Sequence, residues 1–378
     1  MKFEEAYGGW QTGRLTQEEA AQLLGLCARS FRRHIDRYED AGLDGLLDKR
    51  LSQVSQRRAP VDEVLMLTEQ YRKRHLGWSA KHFHAWYQRA GGGRSYTWVK
   101  RVLQGAQLVP RAAKRGAHRK RRERAAWPGM LVHQDGSTHY WVPAAQWDLI
   151  VTMDDATSEH YSMFFVAEEG TQSSLQGVRD VILQRGVFSS FYSDRGSHYW
   201  HTPEAGGKVD KNKPTQFGRA LAQLGITMIA AYSPEARGRS ERAFRTHQDR
   251  LPKELALAGI TDMAAANRYL ATIYRPAFNA EFMQPAMEVG SAFVAWIGGD
   301  LDDLLCEQFE RTVRNDNCVL FDGLVLQIPA DRHRCHYVRV KVRVLRYSNG
   351  AMAIFHGPRK LACYDALGLL DAPLKAAA

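Results

Sequence analysis

The sequence predicts an α+β multidomain protein with N-terminal helix-turn-helix modules, an α/β core built on a mixed sheet, and a small C-terminal β-barrel. Three observations support this fold class. Helix-periodic apolar stripes with capping residues fill the N-terminal part, strand-like runs begin at Trp127, and residues 337–345 alternate between apolar and polar side chains. Three strands followed by alternating helices and strands are typical of an α/β layer.

Composition narrows the class of partner. The chain has 378 residues, enough for two or three domains, and its net charge of +11 favours a polyanionic partner. No apolar run approaches the roughly 18 residues of a membrane span, and the start MKFEEAYGGW has no targeting pattern. We therefore expect a bacterial cytoplasmic protein without a membrane partner, associated with the nucleoid when it is bound to DNA.

Residues 1–58 are predicted to form a helix-turn-helix DNA-binding domain. Thr16 and Glu19 fit a capping box at the start of a helix, Gly25 interrupts the apolar stripe, and a second helix carries Phe31 and Ile35 on its apolar face. Four residues off that face are predicted to contact a major groove: Arg29, Ser30, Arg32 and Arg33.

Residues 59–110 are predicted to form a second helical DNA-binding domain. Its first helix covers 61–75, and Ser79 and Ser95 are predicted to cap the next two helices. The aromatic residues of these helices are predicted to be core. Lys100 and Arg101, in the last helix, are the expected DNA contacts.

A basic linker, residues 111–126, follows. Eight basic residues and one acidic residue between positions 111 and 124 repel one another, so an exposed segment that binds phosphates is expected, with a merely solvated linker as the alternative. The contacts named for this segment are Arg115, Arg119, Lys120, Arg121 and Arg122.

Residues 127–295 are predicted to form the α/β core. Strands are expected at 130–135, 147–153, 161–166, 187–192 and 226–231, and helices at 172–184, 216–224 and 239–251. A turn at 154–157 separates the second and third strands.

Residues 296–378 are predicted to form the barrel. Strands are expected at 319–328, 337–345 and 351–356. The strand at 337–345 would place valines on a dry face and Tyr337, Arg339, Lys341 and Arg343 on the other. The three basic residues are predicted to contact DNA, and a simply soluble outer face is the alternative.

Three acidic residues of the core are the candidate catalytic groups. Asp135 and Asp194 end predicted strands, and Glu241 lies in the last helix. Carboxylates gathered at one sheet edge repel one another unless divalent cations neutralise them, and oxygen ligands select Mg²⁺ or Mn²⁺.

Several rival residues remain open. Asp154 or Asp155 could replace Asp135, although Asp is favoured in turns for backbone geometry alone, and Glu235 competes with Glu241. Histidines near the acids, and a cluster at 332–336, could suggest zinc, but their spacing fits no recognised ligand pattern. The histidines are His133, His139, His198 and His201.

The sequence resembles the DDE insertion-sequence transposases with a retroviral-integrase-like catalytic core, and among them the ISNCY group. The resemblance is carried by WPGMLVHQD ending at Asp135, by YSDRGS around Asp194, and by YSP through GRSE ending at Glu241. It covers nearly the whole chain and implies a ribonuclease-H-like core between the helix-turn-helix modules and the barrel.

The resemblance also implies a function. Asp135, Asp194 and Glu241 would hold two Mg²⁺ or Mn²⁺ ions, first for hydrolysis at a transposon end and then for joining the freed 3′-hydroxyl to target DNA. The partners would be double-stranded transposon ends and target DNA, bound by a homo-oligomer that is at least a dimer.

Two features depart from the family pattern. Glu241 follows Asp194 at a longer interval than is usual, which fits an inserted loop at 199–215, and Gln248 replaces a common basic residue. Arg245, one turn after Glu241, is predicted to supply the phosphate contact instead. The alternatives are a ribonuclease-H-like nuclease without strand transfer and a catalytically inactive DNA-binding regulator.

Overall fold

The computed structural model describes residues 2–48, 58–111, 123–204, 207–232, 238–330 and 334–371. The chain divides into two compact units, Met1–Glu69 and Gln70–Ala378. None of the helices in these ranges combines the length and apolar character that crossing a membrane requires. The finer domain boundaries given above stay predictions.

The first unit contains the helices α1 (Lys2–Gln11), α2 (Gln17–Leu23) and α3 (Ala28–Ala41) and a 3₁₀ turn (Gly42–Leu46). The capping box is confirmed, since Glu19 N donates to Thr16 Oγ1 and Thr16 N donates to the Glu19 carboxylate at 2.8 Å. Phe31 and Ile35 are buried as predicted. The sequence analysis did not predict helix α1, whose aromatic side chains pack against this core.

Three helices follow: α4 (Val61–Arg74), α5 (Ala80–Arg89) and α6 (Tyr96–Gly105). Ser79 Oγ accepts from His82 N and Ser95 Oγ accepts from Trp98 N, so both predicted caps are confirmed. Phe83 is fully buried, which confirms its assignment to the core.

The core is a five-stranded mixed sheet. Its strands are β1 (Leu131–Val142), β2 (Ala145–Asp154), β3 (His160–Val166), β4 (Ser190–Ser193) and β5 (Thr227–Ala230). Their spatial order is β3-β2-β1-β4-β5, with β1, β2 and β3 antiparallel and β1, β4 and β5 parallel. The predicted mixed sheet is confirmed.

Helices cover both faces of this sheet, as expected for a sheet with buried parallel strands. On one face, α7 (Thr171–Arg185) and α8 (Gln216–Gln223) enclose a core that contains Val132 and Phe191. The other face is covered by α9 (Gly238–Leu257), α10 (Met263–Tyr269), a π-helical turn (Leu270–Tyr274) and α11 (Arg275–Phe282). The sheet is therefore the middle of three layers.

The C-terminal region does not confirm the predicted barrel. It contains β6 (Glu307–Thr312), β7 (Cys318–Phe321), β8 (Leu324–Gln327), β9 (Lys341–Arg346), β10 (Met352–His356) and β11 (Arg359–Tyr364). Over the described residues these form an open antiparallel sheet of order β11-β10-β9-β6 and a separate β7-β8 hairpin. Both contribute to one apolar core, so the region is compact without being a closed barrel.

Two strand predictions in this region were wrong in extent. The expected strand at 337–345 begins only at Lys341, because Arg339 has a φ of +61° and Tyr337 is buried rather than on a basic face. The expected strand at 319–328 is a hairpin, whose two-residue turn Asp322-Gly323 has positive φ at both positions. An Asp-Gly turn of this kind is a strong hairpin signal that the apolar pattern obscured.

A buried chain of hydrogen bonds joins α9 to β3 and the π-helical turn. Ser158 O can only accept, so His160 Nδ1 donates to it at 3.1 Å, which leaves His160 Nε2 to accept from His247 Nε2 at 3.0 Å. His247 Nδ1 then accepts from the Tyr274 hydroxyl at 3.1 Å. Both histidines are therefore neutral in the folded protein. Burial lowers the pKa of His160 to about 4 and holds that of His247 well below its usual range.

The hydrogen-bonded pair of neutral histidines predicts a loss of stability at mildly acidic pH. Because the unfolded histidines have an ordinary pKa of about 6.5, they take up protons as the pH falls below that value, whereas folded His160 does so only near pH 4 and the pKa of folded His247 is also held well below its usual range. The stability that the neutral histidines contribute is therefore fully present above about pH 6.5. Between pH 7 and pH 5 we expect a loss of roughly 2 kcal/mol from His160 and a further loss from His247, measured by urea unfolding.

The variant His247→Gln serves as the control. It removes one of the two titrating groups, so the difference in unfolding free energy between pH 7 and pH 5 should shrink. An unchanged pH dependence in this variant would show that other groups cause the acid sensitivity.

Candidate active site

Asp135 lies on β1 with its side chain toward α9. Side chains alternate along a strand, so His133, Asp135 and Ser137 share one face of the sheet. Gln248 Nε2 of α9 donates to Ser137 Oγ at 2.9 Å, which identifies that face. Asp135 is 7% exposed, and Gly136 N donates to its Oδ1 at 3.1 Å.

Asp194 directly follows the neighbouring strand β4 (Ser190–Ser193). The parallel pairing of β1 with β4 matches His133 with Tyr192, and Asp135 and Asp194 each come two residues later in the chain. Gly196 N donates to Asp194 Oδ1 at 2.8 Å, which orients this half-buried carboxylate.

Glu241 is an exposed residue in the first turn of α9. It borders an open cleft of about 330 Å³. The cleft is lined by Asp135, Gly136, Ser137, Glu241, Phe244, Arg245 and Gln248. The structure thus places Asp135 and Glu241 on one cleft, while Asp194 lies just after the neighbouring strand β4 and outside the lining.

The donor set of this edge suits a hard divalent cation, because carboxylate oxygens are the ligands that Mg²⁺ and Mn²⁺ prefer. Within the described ranges, however, no group of three or more His, Cys, Asp or Glu side chains is gathered closely enough to hold an ion. Asp135, Asp194 and Glu241 therefore share an edge without forming a closed ligand cluster.

A fourth acidic residue, Glu169, packs against β1 at Gly136 and was missed by the sequence analysis. A Cβ at Gly136 would lie only 2.1 Å from Glu169 Oε2, so the carboxylate occupies the space that this glycine leaves open. His198 Nε2 is 3.4 Å from Glu169 Oε1, and the Tyr199 hydroxyl donates to the same oxygen at 3.3 Å. Glu169 precedes a helix among other polar residues, and nothing in its sequence context marks it.

The turn aspartates have other roles. Asp154 Oδ2 accepts from Thr157 N at 2.8 Å, and its Oδ1 accepts from Gly129 N at 2.9 Å, so both oxygens serve the fold. Asp155 is bound by His133 Nε2 at 2.7 Å and by Arg239. Burial by itself raises the pKa of Asp155, but the hydrogen bonds from His133 and the Ala125 amide and the charge of Arg239 hold it well below its usual range.

The remaining rival residues are the histidines near the acids, Glu235 and the cluster at 332–336. His133 is hydrogen-bonded to Asp155, His198 Nε2 lies 3.4 Å from Glu169 Oε1, and no zinc-like cluster forms among the described residues. His139 packs edge-on against Trp141. Glu235, together with Arg332 and His333, lies outside the described residues.

The predicted groove-binding residues lie on α3. Arg29, Arg32 and Arg33 are exposed there, and Ser30 is partly buried with its Oγ 3.3 Å from Cys27 Sγ. The structure therefore leaves the three arginines accessible in the first unit.

The remaining predicted DNA contacts differ in their surroundings. Arg101 and Arg245 are exposed, and Arg245 also lines the cleft. Lys341 pairs with Glu310 at 2.7 Å. Arg343 is half-buried and donates to Gly357 O at 2.8 Å. Lys100 is also half-buried and lies 5.9 Å from the centre of the Tyr96 ring. Arg339 is exposed in a turn. The linker residues Arg115, Arg119, Lys120, Arg121 and Arg122 lie outside the described residues.

Helix α9 also anchors α5. Glu254 Oε1 accepts from His82 Nε2 at 2.9 Å and from Arg89 Nη2 at 2.8 Å, and its Oε2 accepts from the Tyr269 hydroxyl at 2.7 Å. Burial raises the pKa of Glu254, but these three hydrogen bonds outweigh it and hold the pKa at about 2. The carboxylate is therefore ionised and buried where α5, α9 and α10 meet.

Residues 10–52 match a family model described as a helix-turn-helix domain. Two relatives named as transposases match by sequence. One is y4bF of Sinorhizobium fredii strain NGR234, 30% identical over 322 residues, covering 80% of this chain and 66% of the relative. The other is the transposase for insertion sequence IS1202 of Streptococcus pneumoniae, 29% identical over 161 residues, covering 43% of this chain and 34% of the relative.

Solved structures also resemble the chain at low similarity. A chain of the simian T-cell lymphotropic virus intasome has a TM-score of 0.35 and 14% identity, covering 82% of this chain and 99% of its own. The HTLV-2 integrase catalytic core with magnesium has a TM-score of 0.30 and 14% identity, covering 40% and 86%. TM-scores this low support no argument. The chain spans less than two thirds of the length of the two sequence relatives. The match to the first of them covers most of the chain, and together with the helix-turn-helix match it makes the chain similar to proteins named as transposases.

Proposed function

We propose that the chain is a DNA transposase that hydrolyses the phosphodiester at a transposon end and joins the freed 3′-hydroxyl to target DNA. Asp135, Asp194 and Glu241 are the proposed catalytic residues. The observation that carries the proposal is the cleft that Asp135 and Glu241 line together, with Asp194 directly after β4, the strand that pairs in parallel with β1.

The three carboxylates would hold two Mg²⁺ or Mn²⁺ ions. Such a pair of ions activates an attacking oxygen on one side of the phosphorus and stabilises the leaving oxygen on the other. The open cleft gives a DNA strand access to Asp135 and Glu241. Arg245, exposed on its wall, offers a charged donor to a phosphate next to the reacting one.

DNA binding is assigned to four groups of basic residues. The exposed arginines of α3 would read a major groove, and the residues of α6, the linker and the C-terminal sheet would contact phosphates, which fix position without reading sequence. Two transposon ends must meet one target, so the active form is proposed to be at least a dimer on DNA.

The test uses the full chain, Mg²⁺ and duplex oligonucleotides copied from the two ends of the DNA element that encodes the chain. Oligonucleotides that already end in the 3′-hydroxyl are incubated with plasmid, and joined product is measured on a gel. We expect joining. Nicking of uncleaved ends without joining would support the nuclease alternative, and DNA binding without either product would support the regulator; both would contradict the transposase.

A further inference from the structure

Asp155 lies in the turn between β2 and β3 and is 1% exposed. Its Oδ1 accepts from His133 Nε2 at 2.7 Å and also binds the Arg239 guanidinium. Its Oδ2 accepts from Ala125 N at 2.8 Å. A buried carboxylate held by charged and neutral donors in this way has a fixed position.

The partners of Asp155 are close neighbours of two proposed catalytic residues. His133 precedes Asp135 by two residues on the same face of β1, and Arg239 precedes Glu241 by two residues in the first turn of α9. Two residues correspond to about 7 Å along a strand and about 3 Å along a helix. One carboxylate thus ties together the strand and the helix that carry Asp135 and Glu241.

The turn itself does not require this side chain. Asp154 supplies the turn bonds, because its Oδ2 accepts from both the amide and the hydroxyl of Thr157, at 2.8 and 3.0 Å. The contacts of Asp155 instead lead away from the turn, to β1, to α9 and to Ala125. Their geometry fits a connection between elements better than a local stabilisation of the turn.

The chain that follows the basic segment is held at the same place. Arg124 Nη1 donates to Asp155 O at 2.8 Å and to Ser158 Oγ at 2.9 Å, and Arg239 Nη2 donates to Glu123 O at 2.9 Å. Residues 123–125 therefore share their anchor with Asp135 and Glu241.

We propose that Asp155 is a positioning residue, which acts through His133 and Arg239 to set the separation of Asp135 and Glu241 and to attach residues 123–125 beside them. The inference rests on the proposed function, since it concerns the geometry of that same site. Residues that orient metal ligands from outside commonly change metal affinity or activity by about 10- to 100-fold when they are replaced.

The test measures Mn²⁺ binding by calorimetry on the full chain without DNA, together with the joining assay. Asp155→Asn keeps the size of the side chain but removes its charge and one acceptor. We expect Mn²⁺ affinity and joining rate each to fall by about 10- to 100-fold, while affinity for the end oligonucleotides changes less than about threefold. Asp180→Asn is the matched control, because Asp180 accepts hydrogen bonds from Ser162 and Gln176 and binds none of these elements; it should match the wild type.

A folded Asp155→Asn protein with wild-type Mn²⁺ affinity would overturn the inference. If that variant does not fold, Arg239→Lys decides the question: it keeps the charge but loses the planar fork that reaches both Asp155 and Glu123. We then expect about 10-fold weaker Mn²⁺ binding, and an unchanged affinity overturns the inference. Asp135→Asn tests the proposed function separately from the inference about Asp155. If this variant still binds Mn²⁺, the proposed metal site at Asp135 is refuted.

Discussion

Asp135→Asn is expected to lower the rate of strand joining by about 10³-fold or more while leaving DNA binding in place. The side chain keeps its size, and an amide can still accept from Gly136 N as the carboxylate does, so the fold should persist. What is lost is a negative oxygen at the edge that Asp194 and Glu241 share. The measurement is the initial rate of joined product at saturating Mg²⁺.

The matched control for this variant is Asp262→Asn. Asp262 caps α10 by accepting from Ala265 N at 2.8 Å, and Asn is an equally good cap, so the joining rate should stay at the wild-type level. Joining by Asp135→Asn at more than a tenth of the wild-type rate would contradict the assignment of Asp135 as a catalytic residue.

Glu254→Ala is expected to lower the free energy of unfolding of the second unit by about 2–4 kcal/mol. Removing this carboxylate leaves the buried His82 and the Arg89 guanidinium without the partner that binds both, and it also deprives the Tyr269 hydroxyl of its acceptor. The cost comes mainly from His82 and Tyr269, which lose an acceptor inside the protein, because the Arg89 side chain is 39% exposed and can be solvated. Urea unfolding at pH 7, followed by circular dichroism, measures the change.

An exposed ion pair of the same chain provides the comparison. Glu310 pairs with Lys341 at 2.7 Å, but both side chains are more than half exposed, so Glu310→Ala should cost less than about 1 kcal/mol. Equal effects of the two substitutions would show that the contacts of Glu254 do not hold α5 against α9.

The sequence predicted the core well because its signals were local. Strand periodicity located β1, β2 and β3, and the serines at 79 and 95 marked the starts of their helices. The expectation that Asp135 and Asp194 lie near each other rests on the parallel pairing of β1 with β4. Asp135 does not end its strand as predicted, because β1 continues to Val142. These features depend on residues close together in the chain or on general rules of sheet topology.

What the sequence did not reveal depends on contacts between distant residues. Glu169 packs against β1 only because Gly136 lacks a side chain, and Asp155 meets Arg239 across 84 positions. The strand expected at 337–345 was wrong in extent because the alternation continues through a turn at Arg339, where the backbone leaves the strand. A period of two describes which side chains share a face, but it does not show where a strand begins.

Helix α9 carries Glu241 near its start and Glu254 near its end, 13 residues or about 20 Å further along. Since Glu254 binds α5, the helix at residues 80–89 and the proposed catalytic residue Glu241 are attached to one and the same helix. The length of α9 between the two glutamates therefore fixes how far α5 lies from Glu241.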